Sequence, residues 1–230
     1  MTDLPATAAD DPAARAVIDE FHLLWYEKRE AWRDTTWLGT PLKQCPLDLW
    51  VYQELITAGP VEVFVEVGVR RGGLTKYIAN VFDLLHPGDV EAGRVVGLDI
   101  GMRSAEKNIG WHPRVTLIEG SSTDPAVVEQ VRALCSGRRT MILLDSDHAE
   151  AHVRAELDLY GPVVTPGLHL IINDTNVNGH PAYAEHGPGP YEAVADFLAT
   201  TAEYEVDPAC EKHMLTQNPR GYLRRREAVT

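Results

Sequence analysis

Two short apolar runs in the second half of the chain each end in side chains whose oxygen atoms could bind a metal ion. Residues 141–144 are followed by Asp145, and residues 169–172 are followed by Asn173 and Asp174. If these runs are neighbouring strands of a parallel sheet, their carboxyl ends meet at one edge and gather the three side chains around one cation. Carboxylate and amide oxygens favour Mg²⁺, Ca²⁺ or Mn²⁺ over zinc. The alternative is that a strand-end Asp caps a helix or a turn.

A glycine-rich turn with the pattern E-x-G-x-x-x-G-G follows an earlier apolar run. In dinucleotide-binding proteins a second glycine in such a turn lets the backbone approach a pyrophosphate. Arg70 stands at that position here and argues against NAD or FAD. An acid just before the first glycine can instead accept a hydrogen bond from the ammonium group of S-adenosylmethionine. The residues of the turn that we predict to bind this cofactor are Glu66, Gly68, Gly72 and Gly73.

Two further strand ends supply groups for the same cofactor. Asp99 comes near the end of a predicted strand, where its carboxylate could accept hydrogen bonds from both ribose hydroxyls. Ser121 and Ser122 follow the next predicted strand, at a position beside the expected adenine ring. A single strand-end Asp is often only a helix cap, but three such groups in chain order favour S-adenosylmethionine.

The elements that must position these residues follow from the pattern of apolar residues. The predicted strands are continuous apolar runs rather than alternating ones, which is typical of strands buried on both faces of a parallel sheet. Their alternation with helices predicts a doubly wound α/β fold. The predicted strands are residues 61–67, 94–100, 115–118, 140–144 and 168–172. The predicted helices between them are residues 74–85, 127–134 and 148–160.

The N-terminal part of the chain has a different pattern. Helical spacing of apolar residues predicts helices at residues 12–34 and 47–58. We therefore divide the chain into an N-terminal helical extension, residues 1–60, and a main domain, residues 61–230. Residues 1–11 are acidic and lack the apolar segment of a signal peptide, so we expect a frayed tail there.

After the fifth predicted strand, residues 174–190 are rich in Asn, Gly, His and Pro. This segment is longer than an ordinary connection, which favours a loop or lid over the site. A helix at 191–201 and two closing strands at 204–206 and 212–216 complete the predicted order.

Charge and cysteine content restrict the partners and the compartment. The chain has 34 acidic and 21 basic residues and a net charge of −13. Polymeric nucleic acid and anionic membranes are therefore not expected partners, because both require a basic surface. Cys45, Cys135 and Cys210 are widely spaced and odd in number, which fits a reducing cytoplasm. The apolar runs are far shorter than the roughly 20 residues that span a bilayer.

Taken together, these motifs resemble the cephalosporin hydroxylase / rhamnosyl O-methyltransferase family over about residues 37–225. The segments that carry the resemblance are residues 37–39, 45–50, 66–73, 144–148, 174–181, 187–190 and 218–225. The resemblance implies an S-adenosylmethionine-dependent O-methyltransferase of secondary metabolism, including antibiotic biosynthesis, or of glycolipid tailoring. It also implies a Rossmann-like class I methyltransferase fold with a mostly parallel sheet, on which we expect residues 1–60 to form an N-terminal helical cap.

The family often uses a divalent metal, held by an Asp after strand four and an acidic pair after strand five. Asp145 and Asp174 match this set, whereas Asn173 stands where Glu is found in well-studied members. We therefore predict a Mg²⁺ site of Asp145, Asn173 and Asp174, with one negative charge fewer than the site of the members that have Glu at this position.

The resemblance suggests methyl transfer to a hydroxyl of a sugar or small natural product, in a protein that we expect to be a homo-oligomer. Asp145 and His148 are the predicted catalytic residues, with His148 ranked before His180 as the base that removes the hydroxyl proton. Two alternatives remain from the sequence: a non-catalytic S-adenosylmethionine-binding or scaffold protein, and a nicotinamide-dependent oxidoreductase.

Overall fold

Strands and helices alternate through residues 12–227, which are the residues that this computed structural model describes. The strands are β1 (Thr36–Trp37), β2 (Thr40–Pro41), β3 (Val63–Val67), β4 (Arg94–Asp99), β5 (Val115–Glu119), β6 (Thr140–Leu144), β7 (His169–Ile172), β8 (Tyr204–Val206) and β9 (Tyr222–Arg225). The α-helices are α1 (Pro12–Leu23), α2 (Pro46–Ala58), α3 (Gly73–Leu85), α4 (Arg103–Ile109), α5 (Pro125–Cys135), α6 (Glu150–Tyr160) and α7 (Pro190–Thr200). Short 3₁₀ turns occupy Ala31–Asp34, Val90–Ala92, Gly161–Val163, Ala184–His186 and Pro208–Glu211, and a π-helical turn spans Leu24–Lys28.

Seven strands form one sheet in the order β5-β4-β3-β6-β7-β9-β8, and β1 pairs with β2 as a separate hairpin. The strands from β5 to β7 are parallel, and at the far edge β9 runs antiparallel to both of its neighbours, β7 and β8. Every residue of β3, β6 and β7 is buried, as expected for strands with helices on both faces. The prediction of an α/β fold with a mostly parallel sheet is confirmed.

The direction of the chain across the sheet reverses at β3. The chain runs outward through β4 and β5 and then continues on the other side of β3 with β6 and β7. The loops that follow β3 and β6 therefore diverge and leave a crevice at the carboxyl ends of the strands, where open α/β sheets bind ligands. The parallel register places Val67 opposite Leu144, so the glycine turn and Asp145 begin side by side.

The predicted helix at 148–160 begins two residues later than expected. Helix α6 starts at Glu150, and the side chain of Asp147 accepts a hydrogen bond from the backbone N–H of Ala149 at 2.7 Å. This turn delays the helix. His148 is therefore a loop residue between β6 and α6 and does not start a helix.

Two other predictions of secondary structure are wrong. The predicted helix at 12–34 is α-helical only as far as Leu23, and a π-helical turn and a 3₁₀ turn follow it. Glu30, with a φ of 47°, interrupts the helical backbone between these two turns. Residues 212–216 do not form a strand, because the chain near Thr216 binds the side chain of Asp48 instead of a neighbouring strand. Strand β9 closes the sheet in its place. Helix α4 and the β1–β2 hairpin lack a clear apolar period and were not expected.

Helix α2 is anchored to the C-terminal part of the chain by one buried carboxylate. Asp48 accepts hydrogen bonds from the Thr216 hydroxyl at 2.5 Å, the Gln217 backbone N–H at 2.8 Å and the Tyr222 hydroxyl at 2.8 Å. Apolar residues of α2, such as Ile56, belong to the same core as the strands. Helix α2 therefore shares one hydrophobic core with the sheet, while the division of the chain at residue 60 stays a prediction.

Among the described residues, no helix is both long enough and apolar enough to cross a bilayer. Cys45, Cys135 and Cys210 are buried and not joined by disulfides. The frayed tail expected at residues 1–11 lies outside the described residues.

Candidate active site

A cavity of about 1050 Å³ lies at the carboxyl ends of β3, β4, β5 and β6. Residues that follow these strands form its floor, the segment before α2 forms one wall, and the loop after β7 forms another. The wall residues that matter below are Tyr26, Trp32, Lys43, Gln44, Val177, Asn178 and Tyr183. The long loop after β7 is therefore a wall of the site, as its length predicted.

Strained backbone conformations are concentrated around this cavity. Within residues 12–227, nine non-glycine residues have a positive φ, and six of them line the cavity. The six are Glu30, Lys43, Arg70, Asp174, Asn178 and Tyr183. Such conformations cost free energy and persist where the surrounding structure holds them, which is common at functional sites.

The three predicted glycines of the turn have different surroundings. Gly68 has a φ of +100°, and a Cβ atom there would lie 1.9 Å from the carbonyl oxygen of Asp145. Only glycine allows this approach of the β3 turn to the end of β6. Gly72 and Gly73 pack against Ile109 and the Pro41 carbonyl, and neither lines the cavity. These two glycines allow close packing at the start of α3, and their contact with the cofactor stays a prediction.

Two carboxylates of the predicted cofactor site do line the cavity. Glu66 is buried and accepts a short hydrogen bond from the Thr75 hydroxyl. Burial raises the pKa of Glu66 well above its usual range, and the bond from Thr75 opposes the shift. Asp99 accepts hydrogen bonds from the backbone N–H groups of Arg70 at 2.7 Å and Gly101 at 3.0 Å. These bonds fix the orientation of the Asp99 carboxylate at the end of β4.

Ser121 and Ser122 also line the cavity, after the end of β5. The Ser122 hydroxyl lies 3.1 Å from Nε2 of His152, and the Ser121 hydroxyl lies 3.2 Å from that of Thr123. His152 thus belongs to a hydrogen-bonded group on the β5 side. Both serines thus face the cavity, and their place beside the base of the cofactor stays a prediction.

At the floor of the cavity, Asp145, His148 and Asp174 come together. His148 Nε2 lies 3.7 Å from Asp145 Oδ1 and 3.4 Å from Asp174 Oδ2. Gln44 donates to Asp145 Oδ2 at 2.9 Å, and Tyr26 donates to Asp174 Oδ1 at 3.2 Å. Both carboxylates are thereby held with one oxygen directed at the imidazole.

The electrostatics of this cluster follow from its burial and its negative charge. Burial lowers the pKa of His148, but Asp145, Asp174 and Asp147 together raise it to about 9. Burial raises the pKa of Asp174 to about 7, although the positive charge of His148 opposes this shift. Two carboxylates that share so small a space repel each other, and either a proton or a neighbouring positive charge relieves that repulsion.

The structure tests whether the cluster fits a divalent cation. The ligand atoms of Asp145, His148 and Asp174 all lie within 4.8 Å of one another. His148 Nε2 is buried and has no hydrogen-bond partner, which is unusual for a polar atom in a folded protein. Two carboxylates and one imidazole without a partner form a donor set that fits a divalent cation.

Asn173 is the predicted ligand that the structure does not bring to this cluster. Its side chain is buried, its amide oxygen accepts a hydrogen bond from the Tyr52 hydroxyl at 3.3 Å, and it does not line the cavity. Asp174, the next residue, has a φ of 55° and faces the cavity. Consecutive residues at the strand end thus point to different sides, and only one of the pair reaches the cluster.

His180, the alternative base, is engaged outside the cavity. Its Nε2 lies 2.5 Å from Glu192 Oε1, and its ring stacks on Tyr191. The structure instead adds Tyr26 and Gln44, which hold the two carboxylates. No sequence signal identified them, because each bond joins residues more than 100 positions apart.

The mostly parallel sheet with its reversal at β3 is typical of the class I methyltransferase fold. The sequence profile of the family described as Rhamnosyl O-methyltransferase/CmcI matches residues 29–226. The chain therefore belongs to the Rhamnosyl O-methyltransferase/CmcI family, and it is an S-adenosylmethionine-dependent O-methyltransferase.

Similar proteins agree with this assignment. The chain is 34% identical over 212 residues to the Rhamnosyl O-methyltransferase of Mycobacterium tuberculosis, covering 90% of this chain and 84% of that protein. It is 34% identical over 200 residues to the Rhamnosyl O-methyltransferase of Mycobacterium leprae, covering 86% of this chain and 85% of that protein.

Solved structures show the same fold. An apo structure of CmcI superposes with a TM-score of 0.67 at 19% identity, covering 89% of this chain and 85% of that chain. A Mg-SAM structure of CmcI gives a TM-score of 0.64 at 18% identity, covering 87% of this chain and 84% of that chain. A putative caffeoyl-CoA O-methyltransferase from Staphylococcus aureus gives a TM-score of 0.55 at 18% identity, covering 83% of this chain and 84% of that chain.

Proposed function

We propose that this enzyme methylates a hydroxyl group of a sugar or small natural product, with a divalent cation bound by Asp145 and Asp174. The observation that carries the proposal is the convergence of Asp145, His148 and Asp174 on the cavity floor, within 4.8 Å of one another. The turn at Gly68 contacts the backbone of Asp145, so donor and acceptor sites share one boundary.

The cofactor end of the cavity is the side formed by β3, β4 and β5. Glu66 is placed to accept a hydrogen bond from the ammonium group of S-adenosylmethionine, and Asp99 to accept from its ribose hydroxyls. Ser121 and Ser122 lie where the adenine is expected. Together these contacts would direct the methyl group of the donor toward the floor of the cavity, where positioning supplies much of the rate of an in-line displacement.

Asp145 and Asp174 are the residues that would hold the cation, and Gln44 and Tyr26 orient them. A bound divalent cation would lower the pKa of an acceptor hydroxyl. In the transfer, the carbon–sulfur bond of the donor breaks, a carbon–oxygen bond forms, and the hydroxyl proton must leave. The two carboxylates raise the pKa of His148 to about 9, which keeps the imidazole protonated near neutral pH. A cation held by Asp145 and Asp174 would offset their negative charge and lower that pKa, so that His148 Nε2, which has no hydrogen bond, could accept the proton.

The wall opposite the cofactor end supports a sugar as acceptor. Tyr26 and Trp32 stack with ring centroids 5.3 Å apart, and Tyr183 meets Tyr26 edge-on at 5.8 Å. Aromatic side chains supply a large apolar surface with polar edges, which suits a sugar ring. The similar mycobacterial proteins are rhamnosyl O-methyltransferases by name, and this favours a sugar hydroxyl over other hydroxyls.

We also expect a homo-oligomer in a reducing cytoplasm, which light scattering and cell fractionation would test.

The experiment is methyl transfer from S-adenosylmethionine to 4-nitrophenyl α-L-rhamnoside, followed by mass spectrometry of both products. Chelation with EDTA should abolish most of the rate and Mg²⁺ should restore it. Binding of S-adenosylmethionine, measured by calorimetry, should change little, because its predicted contacts come from other strands. Full activity after exhaustive chelation and in the Asp174→Ala variant would contradict the metal site.

A further inference from the structure

Positive charge lies on the aromatic wall of the cavity, opposite the cofactor end. Lys43 Nζ is 5.4 Å and Arg33 Cζ is 5.1 Å from the centroid of a ring of Trp32. Trp32 stacks on Tyr26, whose hydroxyl donates to Asp174. One pair of aromatic rings thus connects these cations with the predicted metal ligands.

The protein does not fully neutralise this charge, although its net charge is −13. Arg33 pairs with Glu30 at 2.5 Å, but Lys43 forms no ion pair within residues 12–227. Burial lowers the pKa of Lys43, and the positive charges of Arg70, Arg71 and Arg33 lower it further, while the negative charge of Glu30 opposes the shift without cancelling it. Like charges held together in this way are stabilised when an anion binds between them.

The backbone also holds Lys43 in a specific place. Its φ is 61°, a conformation that a residue with a long side chain rarely adopts. The next residue, Gln44, is buried and donates to Asp145. The same strained turn therefore supplies both a contact to the catalytic carboxylate and a cation at the cavity wall, as expected for a site that binds a ligand.

Arg70 and Arg71 are close enough to Lys43 for their charges to lower its pKa. The backbone of Arg70 binds Asp99 at the end of β4, next to the expected ribose, so these two arginines border the cofactor side. Lys43 and Arg33 lie over the ring of Trp32. We propose that Lys43, assisted by Arg33, binds a carboxylate or phosphate group on the methyl acceptor, a substrate class that rests on the proposed function of this cavity.

Three acceptors that differ only at C6 test this site. They are 4-nitrophenyl β-D-glucoside, the corresponding glucuronide, and the glucoside 6-phosphate. In the presence of S-adenosylhomocysteine and Mg²⁺, at least one anionic glycoside should bind about tenfold or more tightly than the neutral glucoside. The tighter of the two identifies carboxylate or phosphate as the group that is bound.

The Lys43→Gln variant should abolish this preference while leaving the affinity for S-adenosylmethionine within about twofold. Lys107→Gln, at an exposed lysine of α4 outside the cavity, is the matched control and should keep the preference. Equal binding of all three glycosides, or no saturable binding of the anionic ones, would contradict the anion site. Weaker S-adenosylmethionine binding in Lys43→Gln with an unchanged preference would assign Lys43 to the cofactor and overturn the proposal.

Because these are binding measurements, they are independent of turnover. Anion preference without methylation of any glycoside would retain the anion site and count against the proposed reaction. Methylation of the neutral glucoside with no anion preference would retain the reaction and reject the anion site.

Discussion

Asp174 and Asn173 are adjacent in the chain, yet the structure gives them different roles. Asp174 faces His148 at 3.4 Å, whereas the Asn173 amide oxygen accepts from Tyr52. Asp174→Asn should therefore weaken Mg²⁺ binding by tenfold or more, because a charged ligand is lost. Asn173→Ala should change Mg²⁺ affinity by less than about threefold and lower stability by about 1 kcal/mol through the lost hydrogen bond. Calorimetric titration with Mg²⁺ and thermal unfolding of both variants measure these effects. A larger loss of affinity in Asn173→Ala than in Asp174→Asn would restore Asn173 as a ligand.

Tyr26 is a residue whose role only the structure revealed. Its hydroxyl donates to Asp174 Oδ1 at 3.2 Å, and its ring stacks on Trp32. Tyr26→Phe keeps the ring and removes the bond, so kcat should fall by about two- to twelvefold, which corresponds to one hydrogen bond of about 0.5–1.5 kcal/mol. Steady-state kinetics at saturating donor measure this change. Rates equal to wild type would show that the Tyr26 hydroxyl does not position Asp174.

The position of His148 allows two roles, and a substitution distinguishes them. Its Nε2 lies between two carboxylates and has no hydrogen bond, so it could either bind the cation or accept the acceptor's proton. His148→Ala should lower kcat by a factor of about 10² to 10⁴, the usual contribution of a general base, with Mg²⁺ affinity changed by less than threefold. Loss of Mg²⁺ affinity in parallel with kcat would instead make His148 a ligand.

At the scale of elements, α1 is joined to the long loop after β7 through a buried histidine. The His22 ring lies 2.9 Å from the side-chain nitrogen of Asn176, close to the wall residue Val177. Burial lowers the pKa of His22 to about 4. Its neutral form is therefore the one that the folded state favours.

The lowered pKa of His22 determines how the stability of the fold changes with pH. Between about pH 6.5 and pH 4 the unfolded chain binds a proton at His22 that the folded chain does not, so stability falls as pH falls. The His22 contribution reaches about 3 kcal/mol over this range. His22→Gln cannot titrate, and its unfolding free energy in urea should decline less than that of wild type between pH 7 and pH 4.5. Parallel declines in the two proteins would contradict the assigned pKa.

The elements themselves were largely predictable, and their boundaries less so. Continuous apolar runs identified the five parallel strands, because strands covered on both faces contain few polar residues. The predicted start of α6 is two residues too early. The hydrogen bond from the Ala149 N–H to the Asp147 carboxylate delays the helix, and the spacing of apolar residues does not indicate such a bond. The predicted strand at 212–216 failed for a related reason, since Thr216 binds the distant Asp48.

At the scale of the whole molecule, the site depends on contacts that join the two ends of the chain. The sequence predicted that Asp145 and Asp174 lie at one edge of the sheet, because neighbouring parallel strands have their carboxyl ends at the same edge. It could not show which of Asn173 and Asp174 would turn toward the cavity. Nor could it show that the segment before α2 supplies the wall with Tyr26 and Gln44, since neither spacing nor charge marks a contact across more than 100 residues.

The central claim is that one cavity holds the methyl donor against a cation bound by Asp145 and Asp174. A crystal structure with S-adenosylhomocysteine and Mg²⁺ tests it most directly. We predict density for the adenosine beside Asp99 and Ser122, with an ion between the Asp145 and Asp174 carboxylates and the donor sulfur directed toward it. S-adenosylhomocysteine bound elsewhere, or a cavity with the product bound and no ion at saturating Mg²⁺, would contradict the account.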